Sequence, residues 1–126
     1  MSVPKKLFSL AKTSLGDLIV GIAFGKFSNL LPVRRIKETG KVIAFWHPKP
    51  FWEKHILIIP KKQIRNLTSL KYEDGEYLYE VFKVAGEIVK ELGWEKEGYS
   101  LLANGGRRQE VNQLHFHLNS GKQIGG

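Results

Sequence analysis

Four histidines are spread along this 126-residue chain, and two of them, His115 and His117, are separated by a single residue. In extended backbone, side chains two apart share a face. Gln113, His115, His117 and Asn119 therefore line one side of a strand, while Leu114, Phe116 and Leu118 line the other. The apolar side belongs against a core. The other side presents two imidazoles roughly 7 Å apart by ordinary strand rise. Near neutral pH an imidazole serves as nucleophile, as general acid or base, or as metal ligand. On the residues alone, the alternative is a solvent-facing strand with two ordinary histidines. His47 ends one β-rich run and His55 begins another, so all four histidines converge if those strands neighbour the last one.

The elements that must position them follow from pattern. Ser14 suits a helix N-cap, and a helix reads from there through Asp17 and Phe24 toward Ser28, with Pro32 ending the region. Residues 33–37 and 41–46 read as a hairpin turned at Thr39-Gly40. A break at His47-Pro48-Lys49-Pro50 precedes a strand over 55–59, apolar on both faces and stopped by Pro60. Over 74–92, Leu78, Val81, Phe82, Ala85, Ile88, Val89 and Leu92 recur at helical spacing, with Gly93 as the stop. Residues 99–103 and 112–118 read as two further strands around the turn Asn104-Gly105-Gly106. Helix, strands, long helix and strands in that order predict an α+β domain with an antiparallel sheet.

Bulk properties narrow the classes. The length fits one domain spanning 1–126, with a core at about 20–121 and 1–13 as an N-terminal extension. A hydrophobic fraction of 42% excludes a disordered chain, and the absence of cysteine excludes disulfides and thiolate metal sites. A cysteine-free chain suits a reducing compartment, so a cytoplasmic location is expected. The apolar stretch from Leu18 to Phe24 is too short to span a bilayer. The formal charge of +8 draws the chain toward anions. Arg107 and Arg108 follow the glycine turn, where a phosphate cradle and a plain solvated turn are equally supported. Trp46, Phe51 and Trp52 read as local packing before they read as a base-stacking platform.

The run Gln109-Glu110-Val111-Asn112-Gln113-Leu114-His115-Phe116-His117-Leu118 resembles the signature of the histidine triad superfamily, Gln-x-Val-x-His-x-His-x-His followed by apolar residues. Phe24-Gly25-Lys26, Ala44-Phe45 and His55-Ile56-Leu57-Ile58-Ile59-Pro60-Lys61 are similar to its N-terminal helix and central strands, in the right order. The branch it resembles is the nucleoside phosphoramidase type. That resemblance implies a sheet of about five strands with a long helix and an N-terminal helix, and a homodimer. It implies that His115 is the nucleophile attacking an α-phosphorus to form a nucleotidyl-histidine, and that His117 contacts the phosphate and assists the leaving group. Gln109 and Asn104 are implied at the phosphate, and Gln113, His55 and Val111 in support of the site. Phe24, Phe27, Leu31 and Phe45 fall where the family builds its base pocket, with His47 at the ribose. Two positions depart from the pattern: Gln113 replaces the first histidine, and His47 replaces an aspartate that binds ribose hydroxyls.

The expected function is a hydrolase or transferase acting on nucleoside phosphoramidates or related phosphoanhydrides. No cofactor or metal is expected, because backbone N–H groups and cations suffice to hold phosphoryl oxygens. Three rivals compete with it. One is a weakened module that only binds a nucleotide or another small phosphorylated ligand. The second is a metal site drawn from the histidines, although no nearby carboxylate completes a ligand set. The third is nucleic-acid binding, for which the basic surface supports only weak, salt-sensitive contact.

Overall fold

A computed structural model of the chain describes residues 14–25 and 33–126. Phe27, Leu31, the segment 1–13 and the expected helical run past Gly25 lie outside the described residues. The architecture is α+β: helix α1 (Leu15–Ala23), strands β1 (Arg35–Glu38), β2 (Val42–Trp46) and β3 (Trp52–Pro60), helix α2 (Gly75–Glu91), a short helix α3 (Trp94–Glu97), β4 (Ser100–Leu102) and β5 (Phe116–Gln123). The strands form one sheet in the order β1-β2-β3-β5-β4, antiparallel throughout.

Period-two alternation sorts the side chains of the three central strands onto two faces. Val42, Ala44, Ile56, Ile58, Phe116 and Leu118 pack with Val81, Val84, Ala85 and Ile88 of α2 in one core. Ile43, Phe45, Leu57 and Ile59 pack with Leu18, Ile19 and Ile22 of α1 in a second. The expected amphipathic stripe of α2 is displaced at its edges. Val84 is buried, whereas Phe82 is 56% exposed and lies edge-on to Phe116. Beyond α2, Gly93 takes the left-handed conformation at φ 73°, ending the helix as expected. The following α3 had no sequence signal, because its four residues are too few to show a period. It places Trp94 in the α2 core, edge-on to Trp46.

Two other boundaries differ from the pattern. Ser14 caps α1 through Asp17 N at 3.1 Å, but the helix ends at Ala23, with Phe24 as its C-cap and Gly25 left-handed at φ 76°. β5 begins at Phe116 and continues to Gln123. Residues 112–115 alternate like a strand but lack a strand partner, and Leu114 N donates instead to Ile64 O at 2.7 Å. The C-terminal half of β5 pairs with an extended β3 as far as Trp52 across a register shift. Gly121, at φ 83°, sits beside that shift, where a Cβ would fall 2.7 Å from Glu53 Oε1. Ion pairs tie several basic side chains around the sheet: Lys61 to Glu38, Lys62 to Asp74 and Arg35 to Glu38.

Candidate functional site

Because β2, β3 and β5 are neighbours, the face opposite α2 receives every histidine of the chain. His47 follows the last residue of β2, His55 lies in β3, His117 lies in β5 and His115 immediately precedes it. The His47 and His55 rings stack with centroids 4.3 Å apart. The His55–His117 and His115–His117 centroid separations are 5.1 and 5.2 Å. Phe51 and Trp52 lie against this group, Phe51 on both His47 and His55 and Trp52 edge-on to His55. These aromatics cover imidazoles; Trp46 packs with Trp94 on the core side.

Hydrogen bonds assign the protons. The Phe51 N–H donates to His55 Nδ1 at 3.0 Å, so the proton of neutral His55 sits on Nε2. His55 Nε2 then donates to His117 Nδ1 at 2.8 Å, which leaves the His117 proton on Nε2. His115 Nδ1 lies 2.7 Å from the main-chain carbonyl of Gln113, an acceptor only, so His115 carries its proton there and keeps a lone pair on Nε2. The Lys49 N–H donates to His47 Nδ1 at 3.0 Å, placing the His47 proton on Nε2. Burial holds the cluster uncharged. It pushes His47 down to about 4 and His55 to about 3, with neighbouring imidazoles adding to the effect. His117 is pushed to about 4 by burial and then by His115 and His47. His115 is also lowered by burial, against the opposing pull of the Gln113 carbonyl and the Glu110 carboxylate.

One ring nitrogen from each of His47, His55 and His117 lies within 4.8 Å of the others, a spacing that a metal ion could draw on. The wiring opposes that use. A ligating histidine ordinarily donates its second N–H to a carbonyl or carboxylate. Here the second nitrogens of His47 and His55 accept from backbone N–H groups, so their remaining nitrogens carry protons rather than lone pairs.

A cavity of about 710 Å³ opens beside the histidines, within the range of small-ligand sites. His47, His115 and His117 line one side, with Asn104, Lys49 and Arg108 nearby. Leu15, Leu18, Ile19, Val33, Leu57 and Val111 form the apolar wall. Of the residues expected at the base pocket, Phe24 and Phe45 are not in that wall. Phe45 is fully buried beneath the surface in the α1 core, and Phe24 is 55% exposed where α1 ends. Leu15, Leu18 and Ile19 of the wall come from the first turns of α1, whose apolar positions were visible in the sequence but lacked a direction. Lys49, Glu110 and Phe51 also line the cavity; as single residues in loops they have no periodicity that would mark them.

Two glutamines have structural occupations. Gln109 Nε2 donates to Arg65 O at 2.7 Å and to Val111 O at 2.9 Å, fastening the loop rather than reaching into the cavity. Gln113 is buried, accepting from Ile64 N at 3.1 Å and donating to Lys62 O at 2.8 Å. Its contribution to His115 is the main-chain carbonyl, which any residue supplies. His55 stands behind the cavity, 1% exposed, and acts on it through His117.

Comparison with known proteins adds a family to this geometry. Residues 30–124 match the HIT domain family. A HIT-like protein of Helicobacter pylori is 33% identical over 93 residues, 72% of this chain and 86% of that protein. The adenosine 5′-monophosphoramidase of Candida albicans is 33% identical over 96 residues, 70% of this chain and 61% of that enzyme. Among solved structures, a HIT family hydrolase from Legionella pneumophila superposes with a TM-score of 0.73 at 31% identity, covering 84% of this chain and 93% of that one.

Proposed function

The chain belongs to the HIT domain family, and from that premise we propose that it is a hydrolase or transferase of nucleoside phosphoramidates or related phosphoanhydrides, working through a nucleotidyl-histidine. The observation that carries this reading is the 2.7 Å contact between His115 Nδ1 and the Gln113 carbonyl. It fixes the tautomer that leaves an Nε2 lone pair on a residue lining the cavity. The contact is made by main chain, so a glutamine at this position preserves it.

In this mechanism His115 Nε2 attacks the α-phosphorus. A new N–P bond forms as the bond to the leaving nitrogen or oxygen breaks, and the leaving atom takes a proton from solvent admitted by the open cavity. His117 Nε2–H donates to a phosphoryl oxygen while its other nitrogen is occupied by His55. Such a fixed donor costs no reorganisation as charge builds on the phosphoryl group. Water then attacks the phosphorus and releases His115. Asn104, which lines the cavity, binds a phosphoryl oxygen in this reading, and the apolar wall receives the base. The similarity to a monophosphoramidase supports an adenosine nucleotide as one substrate.

The test is a rapid acid quench during turnover of an adenosine phosphoramidate. Intact mass should show one nucleotide added, mapping to His115 and absent from His115→Ala. An unmodified protein under a quench that preserves a known phosphohistidine would replace this mechanism with direct attack by water.

The assembly belongs to the same proposal. β4 is an edge of the sheet among the described residues, and Tyr99, Tyr79 and Phe82 beside it and on α2 are more than half exposed. A homodimer joined through this region would cover them. Sedimentation at micromolar concentration should give the mass of two chains.

A further inference from the structure

His47 stands at the cavity with its proton on the outer nitrogen. Its Nδ1 accepts from the Lys49 N–H at 3.0 Å, and its ring stacks on His55 at 4.3 Å with Phe51 tilted against it at 5.4 Å. The ring cannot turn over to present the other nitrogen without giving up the backbone hydrogen bond. His47 Nε2–H has no hydrogen-bond partner among the described residues, and His47 lines the cavity. It offers ligand a donor and no acceptor. The same cavity is lined by Lys49 and Arg108, neither of which has an ion-pair partner among the described residues. Glu110, the one carboxylate among the described lining residues, acts on His115 rather than on His47.

We propose that His47, Lys49 and Arg108 form a second anion subsite, and that the preferred ligands carry a sugar phosphate in addition to the phosphoryl group at His115. The substrate class is a nucleotide phosphorylated at the 2′ or 3′ position as well as at the reacting 5′ position. A sugar hydroxyl accepts the His47 donor with little further gain. A phosphate accepts it through one oxygen and leaves others for the two cations, with charge assisting each bond. Placement of the first phosphoryl group rests on the function proposed above; the subsite itself is read from binding alone.

The experiment is calorimetric titration of the full chain, at fixed ionic strength, with adenosine 5′-monophosphate, adenosine 2′,5′-bisphosphate, adenosine 3′,5′-bisphosphate and adenosine 5′-diphosphate. At least one sugar bisphosphate should bind about tenfold or more tightly than the monophosphate, as expected for one or two charge-assisted hydrogen bonds. The diphosphate carries comparable charge in the wrong place and should gain less. Lys49→Ala, a change at an exposed side chain, should remove most of the preference, and His47→Asp should reverse it. Equal binding of monophosphate and both bisphosphates, an equal gain for the diphosphate, or a preference unchanged in both variants would overturn the subsite. Because no turnover is measured, a chain that binds the bisphosphates selectively yet forms no His115 adduct would keep the subsite and lose the mechanism. An adduct without the preference would do the reverse.

Discussion

The stretch from Leu114 to Asn119 contributes to both faces of one sheet, and the two faces are built on opposite terms. Leu114, Phe116 and Leu118 enter an apolar core closed by α2. His115, His117 and Asn119 face the other way, into a buried polar layer only partly covered by α1 and the loop that carries Phe51. On the first face, burial stabilises through area removed from water, and what matters at each position is volume. On the second face, burial costs free energy unless each polar atom finds a partner. The imidazoles meet that demand through a chain of backbone and ring hydrogen bonds, and the same chain sets their tautomers. Asn119 Nδ2 is the one buried side-chain polar atom among the described residues left without a partner. Along this stretch one face serves the core, and the other accepts a cost in stability for a fixed arrangement of protons.

The sharpest way to break this comparison is to truncate adjacent residues. His115→Ala should lower turnover on the order of a thousandfold, as expected on removing a nucleophile, with an unfolding midpoint near that of the parent chain. Phe116→Ala should destabilise by about 3–5 kcal/mol while leaving the kinetics of the folded fraction close to the parent. Denaturant titration and steady-state kinetics on both proteins measure the exchange. A His115→Ala protein that keeps its rate, or a Phe116→Ala protein that keeps its stability, would show that the faces are not divided this way.

Acid separates the faces next. His47, His55 and His117 have folded-state values of about 4, 3 and 4, below the ordinary 6.5. The unfolded chain therefore binds protons that the folded chain refuses once pH drops below 6.5. Their stabilising contribution is complete above that pH and is lost as pH falls toward 4. The slope is at most about 1.4 kcal/mol per pH unit for each histidine. Urea unfolding between pH 7.5 and 4.5 should show the decline. His55→Phe should make it shallower, because one of the three groups is gone. An unchanged slope would place the titrating groups elsewhere.

The same His55→Phe protein tests the hydrogen-bond chain. Without the Nε2–H donor, His117 Nδ1 is free to take the proton, and the donor aimed at the phosphoryl group is no longer assured. Turnover should fall about tenfold, in keeping with the loss of one outer-shell partner, with a larger effect on kcat than on KM. The smallest effect is expected at the cavity's apolar wall. Ser14→Ala removes the α1 cap and should cost about 1 kcal/mol. It should raise KM without altering kcat, since α1 supplies lining residues and no chemistry.

Much of this was open to reading from the chain itself, and the limit falls in a consistent place. Alternation along 113–119, the apolar stripe of α2, the Ser14 cap and the Gly93 stop depend only on local periods of two or 3.6 residues and on single-residue backbone preferences, so the sequence was enough to state them. The histidine pair and its flanking glutamines were visible for the same reason. The sequence could not say that Gln109 and Gln113 spend their amides on the carbonyls of Arg65 and Lys62, more than forty positions away. Nor could it say that Phe45 lies under the cavity while Leu15, Leu18 and Ile19 wall it. Strand order and register bring His47 and His55 against His117, and two backbone amides from the loop 49–51 choose which nitrogen of each carries its proton. Residue type and spacing supply the imidazoles. Which nitrogen is a donor and which a nucleophile is decided by partners that only the folded chain brings within 3 Å, because a hydrogen bond acts at contact distance whatever the separation in sequence.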